Sequence, residues 1–344
     1  MKYLKKFQNH TQYETYINGD NVSLPNVSLC VQQDEVHYTP MPETRIITVI
    51  NITDTAKTYT LANYIDRFDE VEIDGVVMNP ISAYCTFQTA GEHTVKYTLK
   101  DPTKIGYNSF INNGKIVSLF IPDSVVTIEE GAFKDCSGIT YIRFSENLRT
   151  IGEEAFIDCR LLNSINLPNS LESVDNDAFY GCTNVSSITI GENLTSIGSF
   201  AFGGCRMLTS ITVDNRNTVY DSRDNCNALI ETETNTLIKG SNNTIIPNTV
   251  TSIDNGAFGS LGIMTALTIP SSVEYINYSQ FTGNTNIQSI TCLGMTAPQI
   301  ENHTFYNIKT GGTLYVPQGS TGYDVWMQNA NYYLGKFGWT KVEQ

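Results

Sequence analysis

A 23-residue unit returns along residues 105–317, and that periodicity constrains the fold more than any other feature of the chain. Ala132-Phe133, Ala155-Phe156, Ala178-Phe179, Ala201-Phe202 and Ala257-Phe258 mark the strongest copies, and the first four phenylalanines are 23 residues apart. Phe202 and Phe258 are separated by two such units with ten residues to spare. Weaker copies sit at Phe110, Phe281 and Phe305, and a copy lacking its Phe is centred on Asn235, which makes about nine coils.

Each coil carries the same apolar set. Five residues before the anchor stands Ile105, Ile128, Ile151, Val174, Ile197, Ile230, Ile253, Ile276 or Ile300. Three residues after the phenylalanine come Cys136, Cys159, Cys182 and Cys205. A run of the form L-x-x-I-x-L follows, as in Leu162, Ile165 and Leu167. Apolar residues two apart, with β-branched types dominant, predict a strand there. Pro122, Pro168, Pro247, Pro270 and Pro317 follow these runs, where an imino nitrogen ends a ladder. The Ala-Phe-x-x-Cys portion predicts a short helical turn on the opposite side. One unit cannot bury its apolar side alone, but stacked units bury it against each other. The expectation is a parallel sheet along the concave face of a curved rod.

Residues 45–100 break the period. The stretches 45–51, 57–62, 71–77, 84–89 and 93–99 are rich in β-formers between turn residues, which predicts a small all-β, immunoglobulin-like sandwich preceding the solenoid. Residues 1–44 are expected to form an arm with a helix or hairpin of its own. The extra residues fall within 214–243, where 227–230 and 236–240 predict a hairpin bulging from the rod. Residues 318–344 carry both tryptophans, Trp326 and Trp339, and are expected to cap the last coil; an aromatic ligand platform is the alternative.

The stretch Ile151-Gly152-Glu153-Glu154-Ala155-Phe156-Ile157-Asp158-Cys159-Arg160-Leu161-Leu162-Asn163-Ser164-Ile165-Asn166-Leu167-Pro168 resembles the BspA-like (Treponema-type) class of leucine-rich repeats. The resemblance covers about two thirds of the chain and implies a leucine-rich-repeat solenoid over 101–317. It also implies a bacterial surface-associated binding protein, with adhesion to host or neighbouring-cell proteins as the family's usual role. The family shares no catalytic residues, so the resemblance assigns none.

Composition narrows the partners. Net charge is −14, with no basic stripe to displace counterions from phosphates, which excludes nucleic acid. No apolar run approaches the ~18 residues of a membrane span. The start, from Met1 to His10, has lysines but no apolar stretch behind them, so no signal peptide is visible. Either export does not use that route or the sequence is already trimmed. The resemblance still implies a cell-surface or extracellular address.

Catalytic and metal chemistry find no constellation. The four column cysteines would stack about 4.8 Å apart, poorly oriented for disulfides and in a row rather than converging on a metal. They are expected to be buried thiols acting as small hydrophobes. Cys30, Cys85, Cys226 and Cys292 lack paired spacing. Of the histidines, His10, His37, His93 and His303, only the last lies in the repeats, so no nucleophile–histidine pair can be assembled there. Glu129-Glu130 and Glu153-Glu154 occupy variable turn positions and are expected to be solvated. The expectation is a protein without enzyme activity, metal or cofactor.

The outward positions of the strand face carry Ser118, Phe120, Tyr141, Arg143, Ser164, Asn166, Ser187, Thr189, Ser210, Thr212, Thr268, Ser289 and Thr291. Most are short and hydroxylated. Phe120, Tyr141 and Arg143 stand out as candidate ligand-binding residues, since aromatic and guanidinium groups are typical anchors. The alternative is that they contact the preceding β domain. The leading expectation is a non-enzymatic adhesion protein that binds a protein or glycan partner through the solenoid. The other is a structural spacer of a phage tail or envelope assembly.

Overall fold

A computed structural model describes residues 45–278, 281–301 and 303–344, together with the backbone of three earlier strands. Those strands, Tyr3–Lys6, Gln12–Ile17 and Asp20–Pro25, form an antiparallel meander within the 1–44 arm. The rest of that arm lies outside the described residues.

Every regular coil contributes two strands. The column five residues before the phenylalanine forms a parallel ladder, with Ile105, Ile128, Ile151, Val174 and Ile197 in register. The longer run after the cysteine forms a second one, in which Ser164–Asn166, Ser187–Ile190 and Ser210–Val213 pair in parallel. Ala266–Ile269, Ser289–Cys292 and Thr313–Val316 do the same farther along. Alternate residues point inward, so Ile165, Ile188 and Ile211 are buried while Asn166, Thr189 and Thr212 are exposed. A one-residue slip would turn the isoleucines outward, and this pins the register to the 23-residue period.

The segment between the ladders is not helical, contrary to expectation. Its residues two before and two after each phenylalanine are left-handed: Gly131 and Asp135 flank Phe133, Glu154 and Asp158 flank Phe156, and Asp177 and Gly181 flank Phe179. These inversions break any helix into tight turns. The N–H groups then divide their bonds. Ala132, Lys134 and Cys136 donate three residues back, while Phe133 and Asp135 donate to Ala155 and Ile157 of the next coil. Side-chain spacing of three or four is kept, but the backbone is a third inter-coil ladder.

Inside, the phenylalanines stack. Phe110, Phe133, Phe156, Phe179 and Phe202 lie in sequence with centroids 5.0, 5.2, 5.2 and 5.8 Å apart, and Phe258, Phe281 and Phe305 form a second stack. Burying each such ring stabilises the fold by about 1.5–3 kcal/mol, which a lone coil cannot obtain.

Residues 45–100 do not close into a separate sandwich. Arg45–Ile52 pairs antiparallel with Gly91–Leu99 on one side and with Ile116–Phe120, a solenoid strand, on the other. The sheet therefore runs without interruption from Val76–Val77 through Phe68–Ile73 to Tyr141–Arg143. Tyr97 meets Phe110 edge-on at 5.1 Å, and a single hydrophobic core spans both parts. The first coil of an array otherwise exposes an unpaired edge and an open apolar face. This β unit covers the apolar face and the edge at Ile116–Phe120, while Lys104–Ile105 stays the edge strand of the other ladder. At the other end, Tyr323 and Trp326 are buried, Trp326 lies 5.4 Å from Phe305, and Thr340–Glu343 adds a strand to the sheet.

The 214–243 region divides the array. The first ladder ends at Ser196–Ile197, and a second sheet opens with Tyr220–Asp221, Leu229–Glu231 and Thr236–Lys239. Here the expected register fails. Ile230 is the antiparallel partner of Leu237, and Leu237, rather than Ile230, stands beside Ile253 in the parallel ladder. The coil is short, and Gly240 donates to the Ala257 carbonyl as the phenylalanines of other coils do to the following alanine. The anchor position is thus a glycine. Any side chain there would collide with the Phe258 ring, 2.3 Å from an added Cβ.

Candidate functional site

The candidate residues on the strand face come from two adjoining strands, Ile116–Phe120 and Tyr141–Arg143, which pair in parallel with Phe120 beside Arg143. Phe120 and Tyr141 are half-buried, and their rings meet at 5.9 Å and 54°. Burial raises the Tyr141 hydroxyl above its ordinary range, with the nearby Arg143 charge acting the other way. Phe120 also lies opposite Ile47 across the junction with the N-terminal β unit. Ser118, expected to face outward, is buried there by the same pairing. These rings therefore sit where the solenoid face adjoins the N-terminal β unit.

Arg143 is differently placed. Its guanidinium pairs with Asp123 at 2.8 Å and donates to the Ile121 carbonyl at 2.8 Å. The side chain is only 14% exposed. Its donors are thus turned to the solenoid's own edge, leaving the two rings as the outward part of the trio. Beyond them the face is a lawn of hydroxyls and amides, with Thr212 donating to Thr189 at 3.5 Å.

Large exposed apolar side chains lie mainly away from the strand face. Leu161, Met207 and Ile263 are 52%, 43% and 46% exposed and share the place five residues after the phenylalanine. Gly262 donates to the Arg206 carbonyl, so the turns before Met207 and Ile263 adjoin directly at this point, beside the short coil between them. That column lies between two buried columns that are apolar in most coils, Cys136, Cys159, Cys182 and Cys205 before it and Ile139, Leu162, Val185 and Leu208 after it.

In the acidic turns Glu130 and Glu153 are exposed, as expected, while Glu129 and Glu154 are half-buried and ion-paired. Lys104 bridges to Glu129 at 3.0 Å, and Lys134 to Glu154. Such half-exposed pairs contribute little stability, about 0–1 kcal/mol. The column cysteines are unbridged and wholly buried, and burial pushes the Cys205 thiol up to about 12. Among the described residues, no group of His, Cys, Asp and Glu is arranged to hold a metal ion. None of the described helices is long and apolar enough to cross a membrane.

In-register coils, a stacked aromatic interior and outward positions free to vary define a repeat solenoid, whose surface carries function. The sequence profile of the BspA type leucine rich repeat region matches residues 103–229 and 235–326, in 6 copies. The chain belongs to that family of leucine-rich-repeat proteins, and no catalytic family is indicated. Among curated proteins, none matches the chain. Among solved structures, a leucine-rich repeat protein from Bacteroides ovatus is 24% identical, with a TM-score of 0.46, covering 79% of this chain and 75% of that one. A leucine rich cell surface protein from Faecalibacterium prausnitzii is 21% identical, with a TM-score of 0.39, covering 76% of this chain and 86% of that one.

Proposed function

We propose that this chain is a non-enzymatic binding protein of the bacterial cell surface, which adheres to a protein partner through its solenoid. Family membership supports the binding role. The observation that carries the placement is the pair Phe120 and Tyr141, two rings in mutual contact on a face otherwise lined by hydroxyls. Aromatic side chains dominate interface energetics because they bury much area at little entropic cost. The surface address rests on the family and on a net charge of −14, which keeps an exposed protein soluble and away from anionic lipid.

The test uses the full chain, labelled, on intact epithelial and bacterial cells. Saturable binding that vanishes when the cells are treated with protease, and that weakens about tenfold or more in Phe120→Ala with Tyr141→Ala, is the expected result. Antibody staining of the native protein on unpermeabilised producing cells checks the address. Binding unchanged in the double variant, or staining only after permeabilisation, rejects the corresponding part of the proposal.

A further inference from the structure

The phenylalanine stack is interrupted between Phe202 and Phe258, where Gly240 holds the anchor position. The coil of Gly240 is short. Four residues separate Ile253 from Phe258, but only two separate Leu237 from Gly240, so this coil cuts across where others build their turn. A cavity of about 520 Å³ occupies that place, between the turn of Phe202 and the turn of Phe258.

The missing turn leaves backbone groups of the flanking coils unpaired. In the regular array the carbonyls of Ile105, Ile128, Ile151 and Val174 each accept an N–H from the following coil. The N–H groups of Asn108 and Phe110, and of Asp177 and Phe179, donate forward in the same way. At the break the corresponding groups are the Ile197 carbonyl and the N–H groups of Phe200 and Phe202. All three residues line the cavity, and none of these groups has a hydrogen-bond partner among the described residues. Ser196–Ile197 is accordingly the edge strand of its ladder. On the facing wall the Asn255 carbonyl also lacks a donor, whereas those of Glu153, Asn176 and Ser199 each accept one.

We propose that this gap binds an extended, basic segment of a partner polypeptide, which adds its backbone to the exposed edge. An acceptor at Ile197 followed by donors at Phe200 and Phe202 is matched by a chain that offers N–H and C=O groups in alternation. Unpaired edges of this kind template pairing with another chain. The segment takes the place of the missing turn: its N–H groups donate to Ile197 and Asn255, and its carbonyls accept from Phe200 and Phe202. Charge then selects the side chains. Glu231 and Asp254 stand in the walls, and the Lys239 ammonium is buried away from solvent, so the gap is acidic and favours Lys or Arg. Phe200 is 44% exposed and extends its ring to Gly256 on the facing wall, which gives the mouth an apolar rim. The gap lies coils away from Phe120 and Tyr141, so it goes beyond the reading of that face, and its failure leaves that reading untouched.

Amide hydrogen exchange of the isotope-labelled full chain, read by NMR, tests this with the synthetic peptide acetyl-Gly-Lys-Val-Lys-Val-Gly-amide. In the free chain the N–H groups of Phe200 and Phe202 should exchange at least about tenfold faster than those of Phe156 and Phe179, which are bonded to the next coil. The peptide should bind saturably with a Kd of about 1 mM or below and slow exchange at Phe200 and Phe202. Its fully N-methylated twin, and a twin with Glu for Lys, should each bind at least about tenfold more weakly. Glu231→Gln with Asp254→Asn, which keeps shape and removes charge, should weaken binding at least about threefold while retaining the wild-type circular dichroism spectrum. No binding of the peptide overturns the proposal, as does binding that leaves exchange at Phe200 and Phe202 unchanged. Equal affinity of the N-methylated twin, or undiminished affinity in the double variant, overturns it as well.

Discussion

The Sγ of Cys136 lies 3.0 Å from the carbonyl oxygen of Phe110, one coil earlier. Cys159, Cys182 and Cys205 repeat the contact to Phe133, Phe156 and Phe179 at 3.5, 3.3 and 3.8 Å. The thiol is a second donor to a carbonyl that already accepts from the backbone N–H three residues on, so the column does more than fill volume. Cysteine suits this place because it is small, tolerates burial and carries a weak donor.

Replacing Cys159 with Ala should therefore cost about 1 kcal/mol, combining lost packing with one lost weak hydrogen bond, since the Phe133 carbonyl keeps its bond from the Cys136 N–H. Urea denaturation of the variant measures it. Burial holds the Cys159 thiol well above its ordinary range, so it is protonated and unreactive near neutral pH. Thiol reagents should label it only after denaturant is added. Ready labelling of the folded chain would contradict the packing described here.

The left-handed positions give a backbone prediction. Asp135, at φ 58°, belongs to the column two residues after the phenylalanine, which elsewhere holds Asn112, Gly181 and Gly204. Asp135→Gly should be close to neutral, and Asp135→Val should cost about 1–3 kcal/mol, because a β-branched residue resists that conformation. Equal stabilities of the two variants would mean that the turn relaxes.

How much of this was legible can be judged from the same columns. The period, the inward isoleucines and the stacked anchors followed from spacing alone. The turns differ from expectation because Ala-Phe-x-x-Cys has the spacing of a helical face as well. Yet Asn, Asp and Gly recur two residues either side of Phe110, Phe133 and Phe179, the residues that tolerate left-handed backbone. The register slip at Ile230 had a different cause. Ile230 and Leu237 are antiparallel partners of equal apolarity, and only pairing with Ile253 distinguishes them. The merger of residues 45–100 with the solenoid depends on Ile47 meeting Phe120, a contact no local pattern encodes. Of the candidate binding residues, the proximity of Phe120 and Tyr141 was predictable from adjacent coils. The diversion of Arg143 to Asp123 was not, since it depends on a turn geometry outside the strand.

Lys239 carries a pH prediction. Burial lowers its ammonium from an ordinary value of 10.5 to about 8, with the neighbouring Cys205 acting weakly against this. Below pH 8 the amine is charged in folded and unfolded chains alike, and the folded state bears the full penalty. Between pH 8 and 10.5 the folded form loses its proton while the unfolded form keeps it, so this group's contribution to stability rises with pH. Lys239→Met should thus be more stable than the parent at pH 7, by up to the order of 3 kcal/mol. The difference should shrink as pH approaches 10. Comparing the two chains cancels the titration of other groups, and a gap independent of pH would show that Lys239 is not buried as a charge.

The strand-face trio separates into residues with distinct effects. Tyr141 contributes a half-exposed ring that touches Phe120, whereas Arg143 contributes an ion pair and a backbone hydrogen bond within the solenoid. Tyr141→Ala should lower partner affinity by about 1–3 kcal/mol. Arg143→Ala should act mainly on stability, costing about 1–3 kcal/mol, because it removes the ion pair to Asp123 and takes the guanidinium donor from the Ile121 carbonyl. Affinity and urea midpoint measured on both variants give a two-by-two test. If Arg143→Ala weakens binding as much as Tyr141→Ala at unchanged stability, the guanidinium is released from Asp123 when the partner docks. If neither change alters affinity, the rings serve only to seat the N-terminal β unit through Ile47, and the Leu161, Met207 and Ile263 column becomes the surface to truncate next.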